Sequence, residues 1–365
     1  MWIWQHSNWT HFRFNNNTVI PLLIDTRFVQ GMLYGQSQML PENSTSALDS
    51  ILANIIYSSD IEGEKLNVFS VRSSLATRLG IVEEKTYPTD EKSEGFVRAA
   101  LDAINNLDEP LTHERLFQWH SLLFPEGHSI LNPITSGKYR TGIVQVVSGK
   151  RIDKPIVHFE APPPESIETE MALFLDWFNK TRVHYEPNLI IRAAIAHLWF
   201  LTIHPFEDGN GRIGRLIMDL ALAQAENKTV RLYAMSKTIN EHRQEYYDVI
   251  ENTQKGDGDI TLWLQWFLQM LQLSILEATH EIDKTVRATK YWQTHDQALL
   301  SPEQSKVINR MLQGDFVDGI NNSQYKSVAK VSRASATRHL AFLVEQGFLA
   351  DSGAGGRSVR YILQD

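Results

Sequence analysis

A chain of 365 residues suggests two or three domains, each able to bury its own core. With 42% hydrophobic, 10% aromatic and 21% charged residues it is too rich in core-forming side chains for a disordered or fibrous protein. The absence of cysteine excludes thiolate metal sites, disulfides and cysteine nucleophiles, and a net charge of -8 excludes a surface that is basic throughout, though not a basic face on one domain.

The amino-terminal MWIWQHSNWTHFRF has neither the basic start nor the unbroken apolar run of a signal peptide, so a cytoplasmic protein is expected. Residues 1 to about 40 show no sustained periodicity, and short strands and turns are as compatible with them as helix. A helix is predicted over 44–62, with Ser44 as cap, Leu48, Ile51, Leu52, Ile55 and Ile56 on one face, and Gly63 as its stop. Further helices follow over 91–106 and 112–123. Residues 137–160, β-branched with a Ser-Gly-Lys turn signal, predict a hairpin closed by Pro162 to Pro164. Helices resume over 165–180, 188–203, 214–226, 238–254 and 259–290. The most apolar of these are interrupted by Arg192 and His197, or carry Gln265, Gln269 and Gln272, which suits buried or interface helices better than membrane spans. At 291–304 periodicity lapses, as in a linker. Beyond it three short helices, 303–313, 323–331 and 332–346, precede two strands joined by a glycine turn. The expected class is mainly α, divided into 1–110, 111–275, 276–302 and 303–365.

The chemistry concentrates in His204-Pro205-Phe206-Glu207-Asp208-Gly209-Asn210-Gly211-Arg212-Ile213-Gly214-Arg215. Two glycines permit a tight turn, and the helix that follows aims free N–H groups at any anion held there. Arg212 and Arg215 share a face of its first turn, where guanidinium forks suit phosphate oxygens as well as nearby carboxylates. Asp208 offers an oxygen ligand for Mg²⁺, and His204 a base suited to neutral pH. The sequence contains no phosphate-binding G-x-x-x-x-G-K-[S/T], no kinase set and no H-E-x-x-H.

This segment resembles the Fic motif, H-x-F-x-[D/E]-G-N-G-R-x-x-R, at every fixed position, and the resemblance extends over roughly 45–275. It implies a Fic catalytic domain at 111–275 acting as a protein adenylyltransferase, moving AMP from ATP to a Ser, Thr or Tyr hydroxyl of a target or of the protein itself and releasing diphosphate. His204 would take the hydroxyl proton, Phe206 anchor the loop, and Asp208 bind Mg²⁺. Gly209, Asn210 and Gly211 would cradle phosphate, with Arg212 and Arg215 holding the outer phosphates. Residues 143–160 resemble the flap along which Fic proteins hold an extended target segment, with Val157, His158 and Phe159 near the nucleotide. Tyr246, Tyr247 and Gln254 would lie by the adenine. Removal of AMP, or transfer of another phosphorylated group, stays open, as does a DNA-binding regulator whose Fic domain senses nucleotide.

On a helical wheel Glu62 falls within about 40° of Leu48, so its carboxylate continues the buried stripe. Ser58-x-x-x-Glu62-Gly63 resembles the Fic inhibitory motif of the class with an amino-terminal inhibitory helix, which implies a Glu62–Arg215 pair that keeps ATP from binding productively. Residues 325–361 carry about +4 and resemble a winged helix-turn-helix, with Ser332, Ser335 and Arg338 outward on its recognition helix and Gly353 to Arg357 as wing. DNA and protein remain alternative partners for it, and homodimerisation is left open.

Overall fold

Helices dominate the computed structural model, which describes residues 1–365 except 42–43, 83–84, 126–133, 149–155, 229–230, 353–358 and 365. It forms two units: Met1–Gly31 with Thr45–Glu277, and Met32–Ser44 with Ala278–Asp365.

Helix α1, Asn16–Ser37, occupies much of the first forty residues, where helix, strands and turns were equally compatible with the sequence. Its buried positions Val19, Leu23, Thr26, Gln30 and Leu33 keep helical spacing, but two are polar and Pro21 interrupts the run, so apolar counting misses it. The polar pair has tertiary partners: Gln272 donates to Thr26 at 3.0 Å, and Gln30 donates to Glu226 at 2.6 Å. Ahead of α1, Trp9 packs edge-on against Trp199 at 5.9 Å, tying the amino terminus to the core.

Helix α2, Ser46–Ile61, buries Leu48, Ile51, Ile55 and Ile61; Thr45 rather than Ser44 precedes its first turn. Helix α3, Val68–Leu79, is capped by Asn67, and α4, Glu91–Asn105, by Asp90. Helix α5 follows over His113–Leu123. The hairpin is shorter than expected: β1, Gln145–Ser148, pairs antiparallel with β2, Ile156–Glu160, with a register irregularity between Val146 and Val147. Residues 137–144 are loop, consumed by contacts to the site.

Helices α6, Ile167–Lys180, and α7, Leu189–Ile203, lead to the centre of the unit. Every residue of α7 from Ile190 to Ile203 is buried, as is α8, Asn210–Glu226, through most of its length. Within α7, Arg192 offsets its burial by donating to Phe178 O at 2.6 Å and Thr181 Oγ1 at 2.9 Å. The expected 238–254 helix is two, α9, Met235–Glu241, and α10, Arg243–Gln254, broken at His242. Helix α11 runs Thr261–Thr294, through the expected start of the linker.

In the carboxy-terminal unit α12, Pro302–Leu312, α13, Asn322–Ala329, and α14, Arg333–Glu345, enclose a core that includes Val307, Tyr325, Leu340 and Phe348. Tyr291 joins that core and donates to Phe348 O at 2.6 Å, which is why α11 persists where its periodicity fades. Strands β3, Leu349–Asp351, and β4, Tyr361–Leu363, pair antiparallel, and Ile320 bridges to Tyr361. The expected wing, Gly353 to Arg357, lies outside the described residues. Ser332 caps α14 and Arg338 is exposed, whereas Ser335 is half-buried; Arg360, counted among the basic residues, donates to Gly319 O at 2.9 Å.

Candidate active site

Helix α7 ends at His204, whose backbone adopts left-handed φ 51°, a conformation costly to a side chain and held here by the amide bonding Phe200 O at 3.0 Å. The imidazole Nδ1 lies 3.2 Å from Leu201 O. A carbonyl can only accept, so Nδ1 carries the proton and Nε2 is the basic nitrogen. Burial lowers the His204 pKa from 6.5 to about 4, so the ring is neutral at pH 7.

The loop after it is clasped by its own asparagine. Asn210 accepts from Phe206 N at 3.0 Å and donates to Phe206 O at 2.8 Å, so its side chain serves the loop rather than a phosphate. Phe206 is fully buried and stacks on His120 with ring centroids 4.3 Å apart. His120 in turn bonds Asp208 O at 3.3 Å and accepts from Gly137 N at 3.0 Å. Arg140, also buried, donates to His204 O, Gly142 O and Pro162 O at 2.6–2.8 Å. Neither residue stands out in the sequence, because their partners are backbone carbonyls and amides up to 88 positions away. Gly209 sits at φ +81°, and a Cβ there would lie 2.5 Å from the Phe124 ring.

At the start of α8 the two arginines are not free. Arg215 is 1% exposed; it donates to Ser58 Oγ at 2.8 Å, Ser58 O at 2.7 Å and Glu62 Oε1 at 2.7 Å. Its Nη1 has no hydrogen-bond partner among the described residues. Burial alone would raise the Glu62 carboxyl, but the charge and hydrogen bond of Arg215, with Arg212 and Arg243 beyond, lower it below its ordinary 4.5. A Cβ on Gly211 would lie 2.0 Å from Glu62 Oε1, so only glycine admits that carboxylate at the helix amino end. Arg212 pairs with Glu64 and lies over the Phe124 ring at 4.7 Å.

A cavity of about 630 Å³ opens beside these groups, within the range of small-molecule sites. It brings together His204, Asp208, Gly209, Asn210 and Gly211 with Glu62, and on its other walls His158, Phe159, Tyr246, Tyr247 and Gln254. Arg212, Arg215 and Val157 do not line it; the arginines are held by carboxylates, and Val157 is on the exposed part of β2. Ser58 and Gly63 act from behind, the first as a partner of Arg215 and the second, at φ +77°, as the stop of α2. Tyr246 is 2% exposed, and its hydroxyl donates to His197 Nε2 at 2.8 Å, because Nδ1 of that ring is committed to Gly214 O. Gln254 is likewise buried, with its amide 3.3 Å from Thr202 Oγ1. Tyr247 is the more exposed member of the pair and donates to Ile61 O at 3.1 Å. His158 bonds Glu251 at 2.7 Å, joining β2 to α10. Glu251 and Arg243, cavity residues absent from the sequence reading, are isolated charges on a polar helix face and carry no local signal.

Among the described residues no three histidine, aspartate or glutamate side chains gather as a metal cage. Asp208 presents a largely exposed carboxylate at the cavity rim, with one oxygen accepting from Gly209 N at 2.5 Å. That fits Mg²⁺, which takes one or two carboxylates and completes its shell with substrate phosphates and water.

Family models match at two places: a domain of unknown function (DUF4172) over residues 2–81, and the Fic/DOC family over residues 110–222. The chain carries a Fic/DOC domain. This Fic domain begins just before α5 and ends within α8, so it contains the whole loop from His204 to Arg215, while Glu62 lies in the preceding domain. "Protein adenylyltransferase Fic" of Aedes aegypti is 30% identical over 215 residues, 57% of this chain and 38% of that protein. "Uridine 5'-monophosphate transferase" of Xanthomonas campestris pv. campestris (strain 8004) is 32% identical over 144 residues, covering 36% of this chain and 25% of its own. The chain thus spans well under half the length of these curated relatives. A Fic family protein from Desulfovibrio desulfuricans G20 shares the fold with TM-score 0.55 at 20% identity over 95% of each chain. A Fic domain containing signaling protein from Bacteroides thetaiotaomicron VPI-5482 gives 0.53 at 20%, covering 73% of this chain and 97% of its own.

Proposed function

We propose that the chain is a protein adenylyltransferase restrained by its own α2. The observation that carries this reading is a neutral His204 whose Nε2 is left basic at a cavity floored by the amino end of α8. A hydroxyl oxygen of a Ser, Thr or Tyr attacks the α-phosphorus of ATP, and a new P–O bond forms as the bond to the bridging oxygen breaks. Diphosphate leaves, and the hydroxyl proton passes to His204 Nε2. Asp208 would hold Mg²⁺, which supplies charge neutralisation on the phosphates when bound. The amides at Gly209 to Gly211 contribute the helix-end anion site, and Arg140 with Asn210 keep the loop in shape. β1 and β2 form a two-stranded sheet, and its cavity-lining Val146 and Val147 are exposed enough to take an extended target segment by strand addition. The Glu62–Arg215 pair supports the brake: a guanidinium so engaged is not available to the γ-phosphate.

Incubation of the Glu62→Gly protein with labelled nucleotide and Mg²⁺ tests the reading. AMP incorporation from ATP that disappears on adding His204→Ala is expected, with mass spectrometry locating the acceptor. Because one relative is named a uridine 5'-monophosphate transferase, UTP, CTP and GTP belong in the same panel. Incorporation from none of the four would overturn the proposal, and a preference for UTP would change the nucleotide but not the chemistry.

For the carboxy-terminal unit we read the order of three helices and a hairpin, with Ile320 bridged to Tyr361, as a winged helix. Exposed Lys326, Lys330, Arg333 and Arg338 support contact with nucleic acid. Duplex retardation that fades steeply with salt would agree; none at low salt would favour a protein partner. No described helix is long and apolar enough to cross a membrane.

A further inference from the structure

The turn that ends α2 carries a second carboxylate. Gly63, at φ +77°, lets the chain reverse, with Gly63 N bonding Asp60 O and Glu64 N bonding Ser59 O, both at 3.0 Å. This glycine cap brings Glu62 and Glu64, two residues apart, against the same helix, α8. They meet different arginines in different ways. Glu62 accepts from Nη2 of Arg215 alone, while Ser58 accepts from both Nε and Nη2, so the two together occupy that side of the guanidinium. Glu64 takes only Nη1 of Arg212, and its other oxygen is held by Lys92 Nζ at 2.5 Å. Phe124 covers one face of that guanidinium, and its Nη2 lies 3.8 Å from Asp208 Oδ1, a cavity-rim atom.

We propose that Glu64 is the positioning residue of Arg212: it fixes Nη1 within a Glu64–Lys92 frame and leaves Nη2 on the Asp208 side, where nucleotide phosphates would lie. The inference rests on the nucleotide site described above. Two physical points favour a positioning role over a second brake. Lys92 balances the Glu64 charge, so an incoming phosphate meets a neutral pair instead of a bare carboxylate. Arginine also has large rotamer freedom, which a fixed Nη1 removes before the ligand arrives. A consequence follows for release of the brake. Glu62 must withdraw by its side chain while the 62–64 turn stays folded, because unwinding that turn would also free Arg212 from its frame.

The experiment compares Glu62→Gly with Glu62→Gly/Glu64→Gln, Glu62→Gly/Glu64→Ala and Glu62→Gly/Glu64→Asp. ATP·Mg²⁺ and adenosine binding are measured by calorimetry, and AMP transfer at varied ATP in parallel. Loss of the frame should weaken ATP binding about tenfold in the Ala and Gln variants, leave adenosine binding unchanged, and be partly rescued by Asp. A purely structural contribution would weaken both ligands alike. Unchanged ATP affinity makes Glu64 idle, and faster transfer makes it a second brake; either overturns the proposal. Should Glu62→Gly bind ATP yet transfer nothing, the transferase reading fails on its own, and the ATP-against-adenosine comparison still decides the role of Glu64.

Discussion

Glu62→Ala should make the protein less stable and more active at once. Arg215 is 1% exposed and keeps only its two Ser58 contacts when the carboxylate is lost. Removing one partner of a fully buried ion pair costs about 3–5 kcal/mol. The Glu62 side chain retains 30% exposure and Ser58 remains, so about 1–3 kcal/mol is the reasonable loss here. In the opposite direction, the Nη2 hydrogen that Glu62 had taken, beside an Nη1 with no partner among the described residues, becomes available to phosphate. One charge-assisted hydrogen bond, about 1.5–3 kcal/mol, corresponds to roughly a 10- to 100-fold gain in transfer. Thermal melts with and without ATP·Mg²⁺, run beside label incorporation, measure both. The variant should melt lower alone and gain more from nucleotide than the parent protein does. Equal melting and an equal nucleotide shift would show that Glu62 does not restrain Arg215. The pH dependence has a defined sign. Burial opposes ionisation of Glu62 but Arg215 prevails, so its folded-state pKa is below 4.5. The pair therefore contributes fully above the ordinary value and is lost only as pH falls through the lowered one. The ratio of variant to parent activity should stay flat between about pH 6 and 9.

Asn210→Ala leaves the amide and carbonyl of Phe206 unpaired in a buried loop and should cost about 1–3 kcal/mol in urea unfolding, with transfer lost as well. Arg140→Leu removes the donors to three loop carbonyls; amide exchange at 204–210 should accelerate, and unaltered protection there would count against its clamping role. In the Glu62→Gly background, kcat/KM should hold down to mildly acid pH and fall near about 4, where burial sets His204; a fall centred near 6.5 would contradict a buried base. Trp9→Ala should lower stability by about 3–5 kcal/mol through its lost packing on Trp199, without changing ATP affinity in the folded protein.

What the sequence made legible is what is local. Twelve consecutive residues contain the base, the turn, the helix end and both arginines, and helical spacing put Glu62 on the Leu48 side of α2, where its part-exposed carboxylate reaches Arg215. The capture of Arg215 by Glu62 was legible only through the resemblance of Ser58-x-x-x-Glu62-Gly63 to the inhibitory motif, because the two residues lie 153 positions apart and meet through tertiary structure. The same distance hides Glu64, Lys92 and Arg140: single charges among many, given meaning only by what they touch. Tyr246 lines the cavity and is at the same time tied into the core. An aromatic beside a site invites a stacking role, yet its hydroxyl completes a buried chain through His197 to Gly214, the residue between the two arginines that lets α8 pack closely on α7, where a Cβ would come within 3.3 Å of the ring. That chain gives Gly214, at a variable position of the motif, a task which phosphate binding does not explain. Gly214→Ala should therefore disturb the α7–α8 contact first and nucleotide binding only through it, so ATP affinity should recover in conditions that restore the native melting temperature.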